Sequence, residues 1–322
     1  MATTDNAAAT RLSGVATIVL TLIGWSSIPL FLKYFSDFID PWTANGWRYA
    51  ISAVLWMPVL VWAYSRRRVP NKLWTAAFIP SIFNALGQIC FAWAPYLIDP
   101  GLMTFGLRLQ IVFVAIGAAT LFASERALLR RPAFLIGLIV VAGGTLATVL
   151  FKDGGFQAKS TLGIIIAIAS GLFYACYALS VRKFMTGMNP IVAFAAVSQY
   201  TSLVLVLLML VIVPDHGVGV FKLTDTQLLL LVVSSVVGIG LGHTLYFYSI
   251  GRLGVAVSAG VVQLQPFIVS IFSVFMFNEK LLPIQWVTGC IAVCGAAIML
   301  VTQHRWAMQR AKEARMESNR LH

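Results

Sequence analysis

Carboxylates are scarce in this chain: its 322 residues hold 11 Asp and Glu against 23 Lys and Arg, and charged residues make up only 11% of the total. A soluble domain carries roughly 25% charged residues, so a water-facing surface of ordinary composition is excluded. Cysteine is sparse too. Cys90, Cys176, Cys290 and Cys294 contain no Cys-x-x-Cys pair and fall inside apolar runs, which argues against a disulfide framework. Cys290 and Cys294 stand one helical turn apart, but no nearby His or acid completes a metal site, so packing is their expected role and no metal or cofactor is expected. Alternation of apolar and polar residues over the roughly ten positions of a barrel strand is missing as well, which disfavours a β-barrel.

What the chain has in abundance is apolar length. It is 59% hydrophobic with a mean hydropathy of +0.87. An α-helix rising ~1.5 Å per residue needs about 20 apolar positions to cross a ~30 Å hydrocarbon core. Ten such stretches follow one another, at 14–33, 43–65, 73–95, 100–122, 132–151, 161–181, 190–213, 226–249, 254–277 and 283–302. The fold class expected is therefore all-α: a polytopic membrane protein of ten transmembrane helices. Pro41, Pro100, Pro132, Pro190 and Pro283 stand at or just inside five of the starts, where a missing N–H is harmless.

The formal net charge of +12 could point to nucleic acid, but its distribution points elsewhere. With the N-terminus inside, Arg11, Arg66–Arg68, Lys72, Arg126, Arg130, Arg131, Arg182, Lys183, Arg252, Arg305, Arg310, Lys312, Arg315 and Arg320 are cytoplasmic; Lys33, Lys152, Lys159, Lys222 and Lys280 are opposite. Sixteen against five places both termini in the cytoplasm by the positive-inside rule. Arg11 ahead of an apolar run resembles a signal peptide, but the run is too long and lacks a small-residue cleavage site, so it reads as a retained first helix. The organisation expected is a cytoplasmic tail at 1–13, a five-helix unit at 14–151, an extracytoplasmic linker at 152–160, a second unit at 161–302 and a basic cytoplasmic tail at 303–322. That last tail has near-helical charge spacing, suited to an anionic leaflet or a partner, with a solvated tail as the alternative.

The two units are similar to each other. Ser13-Gly14 matches Leu162-Gly163, Lys33 matches Arg182, and Asp40-Pro41 matches Asn189-Pro190, all at an offset of 149. Leu86-Gly87-Gln88 then matches Leu241-Gly242-His243, Glu125-Arg126 matches Glu279-Lys280, and Gly137 and Gly143 match Gly289 and Gly295. Five helices is an odd number, so the second unit enters the membrane from the opposite side. Two inverted five-helix repeats around a midplane cavity are the geometry of alternating access.

Phe122-Ala123-Ser124-Glu125 with Leu128-Leu129 and the Gly137/Gly143 helix, its second copy from Gln265-Pro266-Phe267 to Phe277-Asn278-Glu279-Lys280-Leu281, and Arg48 within Trp47-Arg48-Tyr49 carry a resemblance. From 13 to 302 the chain resembles the drug/metabolite transporter superfamily in its ten-helix EamA-type branch. The resemblance implies a carrier of amino acids or other small metabolites; more distant relatives move phosphorylated sugars and nucleotide sugars. One departure is visible: Gln110-Ile111 replaces Gln265-Pro266 in the first copy, which leaves open whether helix four bends.

Inside the spans, polar residues are few. Asp37, Asp40, Asp99, Asp153, Asp215, Asp225, Glu125 and Glu279 all fall at helix ends or in loops, so no acid is assigned to a span core. Ion coupling commonly uses an intramembrane carboxylate, so facilitated transport or exchange gains weight, with His243 the proton-active candidate. Arg48 lies seven residues after Pro41 and Arg108 eight after Pro100, which gives them a shared depth. Guanidinium groups without resident acids suit an anionic or zwitterionic solute; snorkelling or bonding to helix carbonyls is their structural alternative. The candidate substrate-binding set is Arg48, Gln88, Arg108, Gln110, Tyr174, Tyr177, Gln199, Tyr200, His243, Gln263 and Gln265, with interhelical hydrogen bonding and simple packing as the plainer roles. Trp25, Trp93, Tyr96, Tyr246 and Tyr248 add flat surfaces, with Trp93 and Tyr96 suited to an interfacial belt.

The reading is a secondary transporter of the cytoplasmic membrane, an exporter or exchanger of small organic metabolites with amino acids or organic acids favoured. A lipid or amphipathic drug exporter is the alternative, and a transport-inactive sensor or scaffold a third. An enzyme is not expected, because His216, His304 and His322 lie in loops or tail without catalytic partners. The partners expected are a small-molecule substrate, membrane lipids and, as an option, a second copy in a homodimer, with no nucleic acid.

Overall fold

The computed structural model describes residues 2–151, 158–253, 255–279 and 281–320. Lys152, Asp153 and Lys280, with most of the expected 152–160 linker, lie outside the described residues. Among the described residues the chain is helical without strands. The helices are α1 (Ala2–Phe35), α2 (Pro41–Ser65), α3 (Leu73–Leu97), α4 (Pro100–Leu107), α5 (Gln110–Leu121), α6 (Arg126–Leu129), α7 (Pro132–Leu150), α8 (Ala158–Phe184), α9 (Pro190–Ile212), α10 (Asp225–Ser235), α11 (Gly242–Leu253), α12 (Val255–Val262), α13 (Gln265–Phe277) and α14 (Pro283–Arg320). They make ten crossings, because α4 with α5, α10 with α11, and α12 with α13 each form one interrupted crossing. Among the described residues nine crossings are long and apolar enough to span a bilayer by composition alone. The remaining one is α2, whose 25 residues include Asn45 and Arg48.

Matching sequence builds matching local structure. Asp40 accepts from the backbone N–H of Trp42 and Thr43 at 2.9 and 3.0 Å ahead of Pro41. Asn189 does the same for Ile191 and Val192 at 3.0 and 3.3 Å ahead of Pro190. Each cap satisfies N–H groups that the first turn leaves orphaned and contributes about 1 kcal/mol. The two halves then interlock. α1 packs on α11 and α13, while its counterpart α8 packs on α3, α4 and α5.

Counterpart crossings also meet each other, α2 against α9 and α7 against α14. The first pair is joined by Ser52 and Ser198 hydroxyls at 2.9 Å and by Ser202 donating to Tyr49 O at 2.7 Å. The second pair is a glycine seam: a methyl on Gly137 would lie 2.9 Å from Gly295 O, and one on Gly144 would lie 2.7 Å from Ala292 N. Small residues let backbones approach where no hydrophobic force drives helices together.

Both halves contain a broken crossing at the same place. The fourth breaks at Arg108 and Leu109, the ninth at Gln263 and Leu264. The sequence left the fourth open because it lacks the proline that follows Gln265. It breaks nonetheless, through hydrogen bonds that reach back three residues instead of four, such as Leu109 N to Gly106 O at 3.2 Å and Val112 N to Leu109 O at 2.9 Å. Gly171 of α8 presses its bare Cα there: a methyl on it would stand 2.6 Å from Leu107 O and 3.3 Å from Gln110 N. The eighth crossing is interrupted differently, by a π-helical stretch at Val236–Leu241. The C-terminal segment 303–320 continues α14 as helix, and Arg131 Nη2 donates to Gln309 Oε1 at 3.3 Å.

Candidate functional site

Near the breaks and the π-helical stretch, polar and aromatic side chains of several crossings meet. Trp25 of α1 is one of them. Its indole N–H donates to Gly238 O at 3.2 Å in the π-helical stretch, and its carbonyl accepts from Gln265 Nε2 at 2.8 Å. Gln265, opening α13, is 3% exposed. The Trp25 ring lies 5.3 Å from His243 and 5.0 Å from Tyr246, and His243 stacks on Phe194 at 3.9 Å with 28° between planes. One aromatic wall therefore joins α1, α9 and α11.

The opposite half repeats the device. Trp25 rests on Gly242, where any methyl would collide with the indole nitrogen, and Tyr174 rests on Gly87, where a methyl would lie 2.9 Å from the ring. Gly87 and Gly242 are counterparts, and so are Trp25 and Tyr174 at the 149-residue offset. Each half thus pushes one aromatic side chain onto a glycine of the other.

Arg48 is 2% exposed. Its Nε donates to Ser234 Oγ at 3.1 Å, while its Nη1 is buried without a partner. Nη2 faces Gly238, where a methyl would stand 3.2 Å away. Tyr96 and Tyr174 lie within electrostatic reach of this guanidinium. Arg108, at the break of the fourth crossing, has a buried Nε without a partner and Tyr246 within electrostatic reach. It lines a small cleft with its sequence counterpart Gln263, together with Phe105, Pro266, Thr145 and Gly289. The ion pair found among the described residues, Glu125 with Arg182 at 2.6 Å, belongs to neither arginine. A buried charge without a counter-ion is costly.

A family model described as the EamA-like transporter family matches residues 12–150 and again 161–301. The chain belongs to the EamA-like transporter family. This family sits in the drug/metabolite transporter superfamily, and membership makes the protein a transporter with two repeats. The EamA-like chain is 26% identical over 276 residues to an uncharacterized transporter of Synechocystis sp., covering 81% of its own length and 82% of the relative's. It also shares its fold, at a TM-score of 0.62 and 17% identity, with a solved chain described only as the crystal structure of a protein; the match covers 93% of this chain and 99% of that one.

Not every candidate of this EamA-like chain reaches the same place. Gln110 opens α5 with its backbone N–H against Gly171. Gln88 is half-buried and lends its carbonyl to Asn45 Nδ2 at 3.1 Å. Gln199 donates to Ala53 O at 2.9 Å and so ties α9 to α2. Tyr200 stands apart, edge-on to Trp74 at 5.4 Å and Phe78 at 6.0 Å. Tyr177 packs beside the apolar cluster of Tyr49, Trp56 and Phe194. Of the flat surfaces, Tyr248 is 47% exposed, Trp93 meets Trp42 at 5.9 Å, and Tyr96 donates to Ile39 O at 3.0 Å near the end of the bundle. Trp25, Tyr246, Ser234 and Gly238 were absent from the binding set. Applying the 149-residue offset to Tyr174 would have found Trp25.

Proposed function

We propose that this chain is a secondary transporter of the cytoplasmic membrane that carries a small organic solute with a carboxylate, an amino acid or organic acid, outward or in exchange. Both termini lie in the cytoplasm on the strength of the charge distribution. Alternating access of the two inverted halves opens the interior to each face in turn. The observation that carries the reading is the pair formed by buried Arg48 and half-buried Arg108, each with a buried, unpartnered guanidinium nitrogen and neither ion-paired to a described carboxylate. Arg48 and Arg108 hold the negative end of the solute, with Gln110 beside Arg108. Gln263, Gln265 and His243 form the remaining polar surface. The wall of Trp25, His243 and Tyr246 favours a second reading, an amphipathic solute such as a drug or lipid.

Uptake into liposomes holding the purified protein, measured across amino acids, carboxylates and neutral amphiphiles, separates these. The first reading expects carboxylate-bearing solutes to be taken up and Arg108→Ala to weaken them about tenfold or more, the scale of a lost charged hydrogen bond. A solute profile that Arg108→Ala leaves unchanged removes the arginine assignment. Absence of any flux leaves a sensor or scaffold.

A further inference from the structure

The α4–α13 contact is one end of the two broken crossings, and it is sealed. Phe105 and Phe267 meet edge to face at 5.5 Å, and Ser270 lies against Gly101. Just beyond α13, Asn278 turns the chain at φ 55°, and the Glu279 N–H returns to Ser273 O at 3.3 Å. That turn directs the Glu279 side chain onto α4. It is 4% exposed, and its two carboxyl oxygens accept from the backbone N–H of Gly101 and Leu102 at 3.3 and 3.4 Å.

Among the described residues no Lys or Arg pairs with Glu279, and Asp99, ahead of α4, is the charged group that acts on it. Ser270, on α13, holds a buried hydroxyl without a hydrogen-bond partner, available to accept a hydrogen bond from the acid, while Ser273 on the same helix lies close enough to act on the carboxyl. The opposite ends of the broken crossings diverge. There α5 packs on α7 and α8, whereas α12 packs on α1, α11 and α14. A cleft lies between α5 and α14 with Glu125 and Arg182 at its edge.

We propose that Glu279 is a gate residue: closure buries it as a neutral carboxylic acid bridging α13 to the first turn of α4, and its ionisation releases that contact. This assignment rests on the alternating-access reading above. Burial, reinforced by the charge of Asp99, pushes the Glu279 carboxyl up to about 7, against the weaker opposing pull of Ser273 and the two N–H groups. Once opened to water the carboxyl returns to the ordinary range near ~4.3. The closed form therefore binds the proton more tightly; its advantage is complete below the open-state value and is lost as pH rises through about 7. Proton uptake and release occur at the same face. Glu279 thus sets how pH biases the two conformations and carries no proton across.

Hydrogen–deuterium exchange of the full chain in lipid nanodiscs reads the seal directly at the Pro100–Leu107 segment. After correction for intrinsic rates, wild-type protection is expected to fall as pH rises from ~4.3 to about 7, approaching ~tenfold per unit inside that window for one linked proton, and to level off above it. Glu279→Gln, which keeps an acceptor oxygen and mimics the neutral acid, is expected to keep the acid-side protection at every pH. A wild-type segment indifferent to pH, or a Glu279→Gln protein unprotected throughout, overturns the assignment. Gly101→Ala, whose methyl would collide with Ser270 Oγ and stand 2.9 Å from Glu279 Oε1, is expected to part α4 from α13 and expose the segment at all pH values; undiminished protection there would also overturn it. Solute flux plays no part in this readout, so a failed gate and a failed carrier reading remain distinguishable.

Discussion

The two broken crossings have counterpart sequences and unlike surroundings. In the ninth, Pro266 follows Gln265 at the start of α13; in the fourth, Ile111 takes that place and the chain still breaks, with the Gly171 Cα held against Leu107 O and Gln110 N. One interruption has a covalent cause and the other a tertiary one. Their distal carboxylates differ as well. Glu279 is buried on backbone N–H groups, whereas Glu125 is ion-paired to Arg182, whose guanidinium also lies 4.3 Å over Phe122. An inverted repeat sealed at one end and parted at the other must place equivalent residues in unequal environments. Local sequence similarity therefore coexists with opposite packing.

This contrast can be broken most severely at Gly171. Gly171→Leu is expected to drive α8 away from the break and cost at least about 3 kcal/mol, since backbone rather than a flexible side chain stands in the way; loss of the folded peak in size-exclusion chromatography checks it. Next comes the chemistry of the breaks. Arg108→Ala is expected to cut uptake of carboxylate solutes about tenfold, and Gln263→Ala several-fold less, because only the first removes a charge; equal losses in initial rates would erase the distinction between the halves. Pro266→Ala is expected to shift the melting temperature by only a few degrees, about 1 kcal/mol or less, because proline in the first turn of α13 presets φ without removing an intrahelical hydrogen bond. The smallest effect belongs to Glu125→Gln. Its partly exposed pair with Arg182 contributes about 0–1 kcal/mol, so thermal stability should barely move.

Much of the fold was legible because bilayer thickness and backbone satisfaction leave few options for long apolar runs. Asp40-Pro41 and Asn189-Pro190 announced their caps by residue type alone. The break at Arg108 was not legible, since its cause sits in α8, far along the chain. Glu279 was correctly placed at a helix end, yet its burial depends on α4 folding over it, which spacing does not encode. Arg48, Arg108, Gln263 and Gln265 could be singled out because polar atoms are conspicuous in apolar runs. Tyr200 and Gln199 were singled out for the same reason, and the structure spends them on helix contacts instead. Trp25 could be named only as a flat surface, because its bonds to Gly238 and Gln265 depend on the second half folding against α1.

The seam between α7 and α14 has a mechanical consequence. Gly137 and Gly295 bring the two backbones into direct approach, flanked by Met299 and Val140, and Gly144 repeats this near Ala292. Such a joint has little compliant padding to absorb shear, so it is suited to serve as the fulcrum about which the halves tilt. Leverage would then be greatest at the crossings farthest from it, where a small rotation becomes a large change in width.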